Sequence, residues 1–404
     1  MAAGTRNYDV HRRTAGRDII ELKSEKHQEF NKKKQTEKKA LRVVAGEIDY
    51  TFLFIVILVL AAGLVMLLSA SAPRASEMFD GNSYYFFNRQ FIFAVAGVVG
   101  MWIISRINYK RYIKYVPMMF VGSIITLILV AIPHVGTVVN GARRWLFVFQ
   151  PSEVMKPVLV LMFAKMLSED KYNIKTLRGV APYIGIIALV VLLLMLEPHL
   201  SGAIIIAGIG VVLLVAAGMP VKPIIAAALP IGAGVVLWCK IFSPVRWARL
   251  TRFFDPFGDM QGSGYQITQS LYAIGSGKLF GLGLGESVQK YSYLPEPYND
   301  FIFAIVCEEL GFIGATLVVA LFAALIIRGM RIALNAPDKY STFLATGIVA
   351  QVAIQTALNI AVATSSIPNT GVSLPFFSYG GTSLMTLLFE MGILLNISRY
   401  SDKL

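Results

Sequence analysis

Tyr298-Asn299-Asp300-Phe301-Ile302-Phe303 joins two unlike kinds of sequence. Downstream, residues 301–327 form an apolar run long enough to cross roughly 30 Å of bilayer hydrocarbon. Upstream lies a polar, glycine-rich loop that begins near Lys240. Asp300 stands at the join. A carboxylate there is costly to bury in lipid, so its position marks a functional site.

The same kind of apolar run recurs along all 404 residues, of which only 15% are charged. Ten runs are expected to be helices, at roughly 50–71, 91–107, 115–133, 153–167, 180–196, 200–217, 221–240, 301–327, 342–363 and 371–397. They are continuous rather than alternating, which argues against a β-barrel. The expected fold class is an all-α polytopic membrane protein with about ten transmembrane helices and a large extracytoplasmic loop, 241–300, between spans 7 and 8. Residues 1–49 read as a basic, mixed-charge cytoplasmic tail that is disordered, 50–399 as the membrane domain, and 400–404 as a cytoplasmic end. No short apolar region with a small-residue cleavage site precedes the first run, so no cleaved signal peptide is expected.

The net charge of +13 is unevenly spread. With the N-terminus in the cytoplasm and ten spans threaded, most of the Lys and Arg fall on the cytoplasmic side, and both termini are inside. The charge therefore follows topology, and no nucleic-acid partner is expected. The loops 134–152, 241–300 and 364–377 then face outward, where a reaction must run on energy already stored in its substrate. Gly275-Ser276-Gly277-Lys278 resembles half a P-loop, but Leu279 stands where Ser or Thr is required. These glycines read instead as places where backbone approaches a neighbour closely. Cys239 and Cys307 read as packing residues, not a disulfide or a metal site.

Candidate chemistry clusters on that outer face. Arg246, Arg249 and Arg252 share one helical face and suit either lipid headgroups or a phosphorylated ligand. Glu153 and Lys156 are three apart at the start of the fourth run, where Ser152 can cap the helix. They read as a local ion pair or as a cavity edge with Lys156 an anion ligand. Arg143 and Arg144 precede them. Glu197-Pro198-His199 breaks the chain between the fifth and sixth runs. Gln351, Gln355 and Asn359 make a polar stripe suited to helix–helix hydrogen bonding or to cavity lining. Glu308 lies about 12 Å deeper than Asp300 on a helix and is turned from it. Asp300 is thus a single working carboxylate rather than half of an acid pair.

The chain resembles the SEDS family (shape, elongation, division and sporulation; the FtsW/RodA/SpoVE group). Asn140-Gly141-Ala142-Arg143-Arg144-Trp145, Gln150-Pro151-Ser152-Glu153 with Lys156, and Phe254-Asp255-Pro256 carry the resemblance. So do Gly264-Tyr265-Gln266, Ala273-Ile274-Gly275-Ser276-Gly277, Tyr293-Leu294-Pro295-Glu296 and Asn299-Asp300-Phe301-Ile302-Phe303. Glu308-Glu309-Leu310-Gly311 and Thr370-Gly371 through Ser378-Tyr379-Gly380-Gly381 complete the order. The Phe-Phe-Ser-Tyr-Gly-Gly-Thr-Ser form is closer to FtsW and SpoVE than to RodA. One departure is Glu197-Pro198-His199-Leu200, where many members carry Gln-Pro-Asp-Leu.

The resemblance implies polymerisation of lipid II into β-1,4 glycan strands, beside a class B penicillin-binding protein transpeptidase and other divisome membrane proteins. It implies a bacterial cytoplasmic membrane, at the division septum, for division or sporulation. The family's aspartate maps onto Asp300, and its fourth-span Glu and Lys onto Glu153 and Lys156. Asp300 is expected to act as general base, or to hold a divalent cation (Mg or Mn) on the diphosphate; no other cofactor is expected. Lys156, Arg246, Arg143, Lys278 and Lys290 are expected to neutralise the departing diphosphate. The rival readings are a flippase of the same lipid-linked precursor and a non-catalytic divisome scaffold.

Overall fold

The computed structural model describes residues 46–401 apart from 134, 140–141, 148, 243–246, 248–249, 252, 256, 259–261 and 263. The N-terminal tail and the Arg246/Arg249/Arg252 face lie outside the described residues.

A helix forms in every one of the expected apolar runs. In chain order they are α1 (Tyr50–Met78), α2 (Tyr85–Arg106), α3 (Val116–Ala131), α4 (Pro151–Ser168), α5 (Leu177–Leu196), α6 (Leu200–Ala216) and α7 (Val221–Phe242). After these come α8 (Tyr265–Ser276), α9 (Ile302–Leu334), α10 (Lys339–Ala363) and α11 (Gly381–Ser398). Short strands β1 (Thr137–Val139) and β2 (Ala142–Trp145) pair antiparallel between α3 and α4. Among the described residues, six helices are long and apolar enough to cross a membrane: α1, α2, α5, α9, α10 and α11. α3 and α6 are shorter apolar helices. The protein is thus an all-helical, multi-pass membrane protein. The last apolar run opens with irregular, turning backbone, and α11 starts only at Gly381.

α10 is the hub. It packs on α4, α6, α8, α9 and α11, and its polar stripe is buried, with Gln351, Gln355 and Asn359 each under 5% exposed. At one end of the bundle the start of α1 and the end of α11 are stitched together. Asp49 caps α1 through Phe52 N, pairs with Arg328 Nε at 2.7 Å, and donates its own N–H to Ser398 Oγ. At the same end Tyr109 donates to Asp338, which caps α10, and Asn396 accepts from Tyr109 N. Asp300 lies at the opposite end of α10.

α9 is not one straight helix. Gly311 adopts φ 67°, ψ −169°, a conformation almost confined to glycine. The break frees backbone groups that the membrane interior cannot solvate. The segment after α8 satisfies them: Leu282 and Gly283 donate to the carbonyls of Glu308 and Glu309, while Phe312 and Ile313 donate to those of Lys278 and Leu279. The approach needs bare backbone on both sides. A Cβ on Gly277 would collide with the Cys307 carbonyl, one on Gly281 with that of Glu309, and one on Gly311 with Gly281 N. Of the glycines in 275–285, Gly277 and Gly281 thus serve close backbone contact, whereas a Cβ on Gly275 or Gly285 would meet nothing within 4 Å.

Gly311→Ala is expected to cost at least about 2 kcal/mol from backbone strain, before the clash with Gly281 is counted. Thermal unfolding of the purified variant in detergent should show a lower midpoint than wild type. Gly122→Ala, at a helical glycine with open space around its Cβ, should not be lowered.

Candidate functional site

Asp300 lines a cavity of about 520 Å³. Contacts from α10, from the stretch 372–380 and from α2 hold it there. Asn359, at the top of the α10 stripe, donates from Nδ2 to Asp300 O (2.8 Å) and to Val372 O (2.7 Å). Ser378 Oγ donates to Asn299 O at 2.6 Å and accepts from Leu374 N. Tyr379 N donates to Tyr298 O. Gln90 of α2 closes the arrangement, donating to Ser378 O and accepting from Gly380 N. Opposite the carboxylate is Gly371, at φ 69°, where a Cβ would lie 3.1 Å from Asp300 Oδ2. A side chain there would narrow the cavity against the acid. Asp300 itself precedes the N-cap residue Phe301 and does not cap α9.

The facing wall comes from the first half of the chain: Arg144 and Trp145 of β2, Glu153 of α4, and His199 at the start of α6. Glu153 is bonded to Lys156 Nζ at 2.7 Å and receives the Ser383 hydroxyl. Lys156 is 2% exposed and lies behind Glu153, so the ion pair forms and its anionic partner faces the space. Ser152 does not cap α4. The N-cap is Gln150, because Pro151 takes the first helical position.

The expected cations are redistributed. Val138 pairs with Arg143 and Thr137 with Trp145, so Arg144 is the extra residue at an irregularity in β2. Arg144 enters the cavity wall and donates to Pro198 O at 2.5 Å, while Arg143 packs its stem against Gly136. Lys290 is not at the cavity. Its ammonium, 4% exposed, is bound by Glu309 Oε1 (2.8 Å), Ser69 Oγ and Gly285 O. The neighbouring Glu308 accepts from Ser287 Oγ and Val288 N. These two glutamates therefore fasten the loop that leads to Asp300. Lys278 is exposed at the surface beside the α9 break and does not line the cavity. Arg246 lies outside the described residues. The polar lining that sequence reasoning passed over includes Gln266 of α8 and Asn369, which are bonded to each other at 3.1 Å.

Among the described residues, no three His, Cys, Asp or Glu side chains gather as a metal site. A divalent cation beside Asp300 would draw its remaining oxygens from a phosphorylated ligand and water, as Mg commonly does.

The turn between α5 and α6 is electrostatically unusual. Burial pushes the His199 imidazole down to about 3, with the Arg144 charge adding to the effect; His199 is a neutral group in the wall at physiological pH. Burial pushes Glu197 up to about 8 against the opposing influence of Arg144. A folded-state acid raised above its unfolded value takes up a proton on folding, so stability is full at low pH and declines as pH rises from the unfolded value, 4.5, towards about 8. Glu197→Gln is expected to raise the thermal midpoint, with a gain that is small at pH 5 and grows towards pH 8. Melting curves of both proteins across that range check it.

The family model described as "Cell cycle protein" (FtsW, RodA, SpoVE) matches residues 50–403. Stage V sporulation protein E of Bacillus subtilis (strain 168) is 45% identical over 358 residues, covering 87% of this chain and 97% of the relative. A probable peptidoglycan glycosyltransferase FtsW of Trichlorobacter lovleyi is 40% identical over 359 residues, covering 87% and 93%. A chain from a study of the structural coordination of polymerization and crosslinking by a peptidoglycan synthase complex superposes with a TM-score of 0.73 at 26% identity, covering 87% of this chain and 98% of that one. Rod shape determining protein RodA of Thermus thermophilus gives 0.65 at 25% identity, covering 88% and 98%. The chain therefore belongs to the SEDS family, close to SpoVE and FtsW.

Proposed function

We propose that this protein is a peptidoglycan glycosyltransferase that polymerises lipid II on the outer face of the cytoplasmic membrane. The observation that carries this reading is the placement of Asp300 in the wall of a polar cavity at the mouth of α9, which it shares with Arg144, Glu296 and the Glu153 of the Glu153–Lys156 pair. Probable glycosyltransferases among the relatives support it.

The chemistry needs one base. A sugar 4-hydroxyl attacks C1 of the donor and the lipid diphosphate leaves, so an α-linked donor gives a β-1,4 product in a single inverting displacement. Asp300 takes the proton of the attacking hydroxyl. Arg144 stabilises charge growing on the diphosphate, with its fork matched to phosphate oxygens. Lys156 holds Glu153 in place behind the cavity edge. A divalent cation, where bound, would share the diphosphate with Asp300 and supply further charge neutralisation. The N-terminus lies in the cytoplasm, ten helices cross the membrane, and residues 241–300 form the loop between spans 7 and 8. The protein works with a crosslinking partner of the penicillin-binding class, in division or sporulation.

Asp300→Asn keeps the shape and removes the base, and should slow strand synthesis by about 10²–10⁴-fold. The assay is glycan length on gels after incubating purified, folded protein with lipid II and its partner. Undiminished synthesis would remove the catalytic role. Arg144→Gln should lower kcat by about 10²-fold in the same assay, whereas an unchanged rate would take Arg144 out of the leaving-group role.

A further inference from the structure

Glu390 is buried halfway along α11, 1% exposed, with no cation at ion-pair distance among the described residues. Gln351 of α10 donates from Nε2 to Glu390 Oε2 at 2.9 Å. Two buried atoms of this pair, Glu390 Oε1 and Gln351 Oε1, have no hydrogen-bond partner among the described residues. Both are acceptors, and both belong to groups already bonded to each other. An ionised carboxylate would leave two lone oxygens facing a membrane interior that solvates neither.

A single proton resolves this. A carboxylic acid O–H at Glu390 Oε1 donates to Gln351 Oε1 while the amide N–H donates to Oε2, and the two bonds close a ring between acid and amide. The uncharged pair then ties the middle of α10 to the middle of α11. Asn359, which carries the Asp300 and Val372 carbonyls, sits about 12 Å further along the same helix. The height and rotation that Gln351 imposes on α10 are therefore the height and rotation at which Asn359 meets the catalytic loop. The Lys156 ammonium is committed to Glu153, at 2.7 Å.

We propose that Glu390 is a positioning residue: a protonated acid, paired in a ring with the Gln351 amide, that fixes α10 and through Asn359 the backbone of Asp300. This rests on Asp300 being the working carboxylate. The first arm of the test is independent of activity. Infrared difference spectra of full-length wild type and Glu390→Gln in nanodiscs should show loss of a protonated-carboxyl C=O stretch that shifts in D₂O. Loss of an ionised-carboxylate band instead would overturn the proposal, whatever the enzyme does. The second arm follows lipid II polymerisation. Glu390→Leu should lower kcat about tenfold or more with KM little changed, as small misplacements of a catalytic group do. The exchange Glu390→Gln with Gln351→Glu, which restores the ring with acid and amide reversed, should recover activity to within about twofold of wild type. Wild-type kcat in Glu390→Leu, or an exchange variant no better than Glu390→Leu, would overturn it. Full activity in Asp300→Asn would overturn the role of Asp300 but leave the infrared result standing.

Discussion

Everything at the Asp300 end of the bundle depends on a backbone contact made without side chains. A break in α9 at Gly311 strands carbonyls and N–H groups inside the bundle, and the segment 278–283 supplies their partners. Neither element is complete alone. The helix cannot stay broken in an apolar medium unless the loop binds it, and the loop has no other ladder to join. Glycines at 277, 281 and 311 are the condition for this contact, because any Cβ would separate the two strands of backbone.

From that junction the acids Glu308 and Glu309 extend the clamp by side chain. Glu309 gathers Ser69 of α1, Ser287 N and Lys290, while Glu308 receives Ser287 and Val288. A buried pair of this kind is weak evidence for net stability, since desolvation offsets much of the attraction. Its effect here is geometric. It ties α1 and α9 to the stretch that ends at Asp300, and Asn359 with Ser378 then takes over at the cavity. The Asp300 loop thus rests on helices rather than on other loops.

Much of this was readable in the chain. Continuous apolar runs located the helices, because lipid leaves the backbone few alternatives. The Asp300 boundary, the Glu153–Lys156 spacing and the hydrogen-bonding role of the 351–359 stripe also followed from residue type and period. What did not follow was non-local. Arg143 is in register with Val138 whereas Arg144 is the extra residue at an irregularity, and β2 is a four-residue strand with a weak signal. Lys290 looked like a free outer cation because its partners, Glu309 and Ser69, are distant in sequence and meet it only in the folded bundle. α8 was hidden by its polar residues, Gln266, Thr268 and Gln269, which read as loop until the packing of Ile267 and Ala273 is seen.

The stitching at the far end has a consequence for biogenesis. Asp49, at the start of the first helix, donates to Ser398 at the end of the last, and α2 meets α11 through Gly97 and Gly100, against Leu388 and Phe389. The leading helices enter the bilayer long before these partners emerge from the ribosome. They must wait there with their packing faces open, so final assembly of the bundle is a post-translational event, and a chain truncated before α11 leaves its first two helices without the neighbour that closes them.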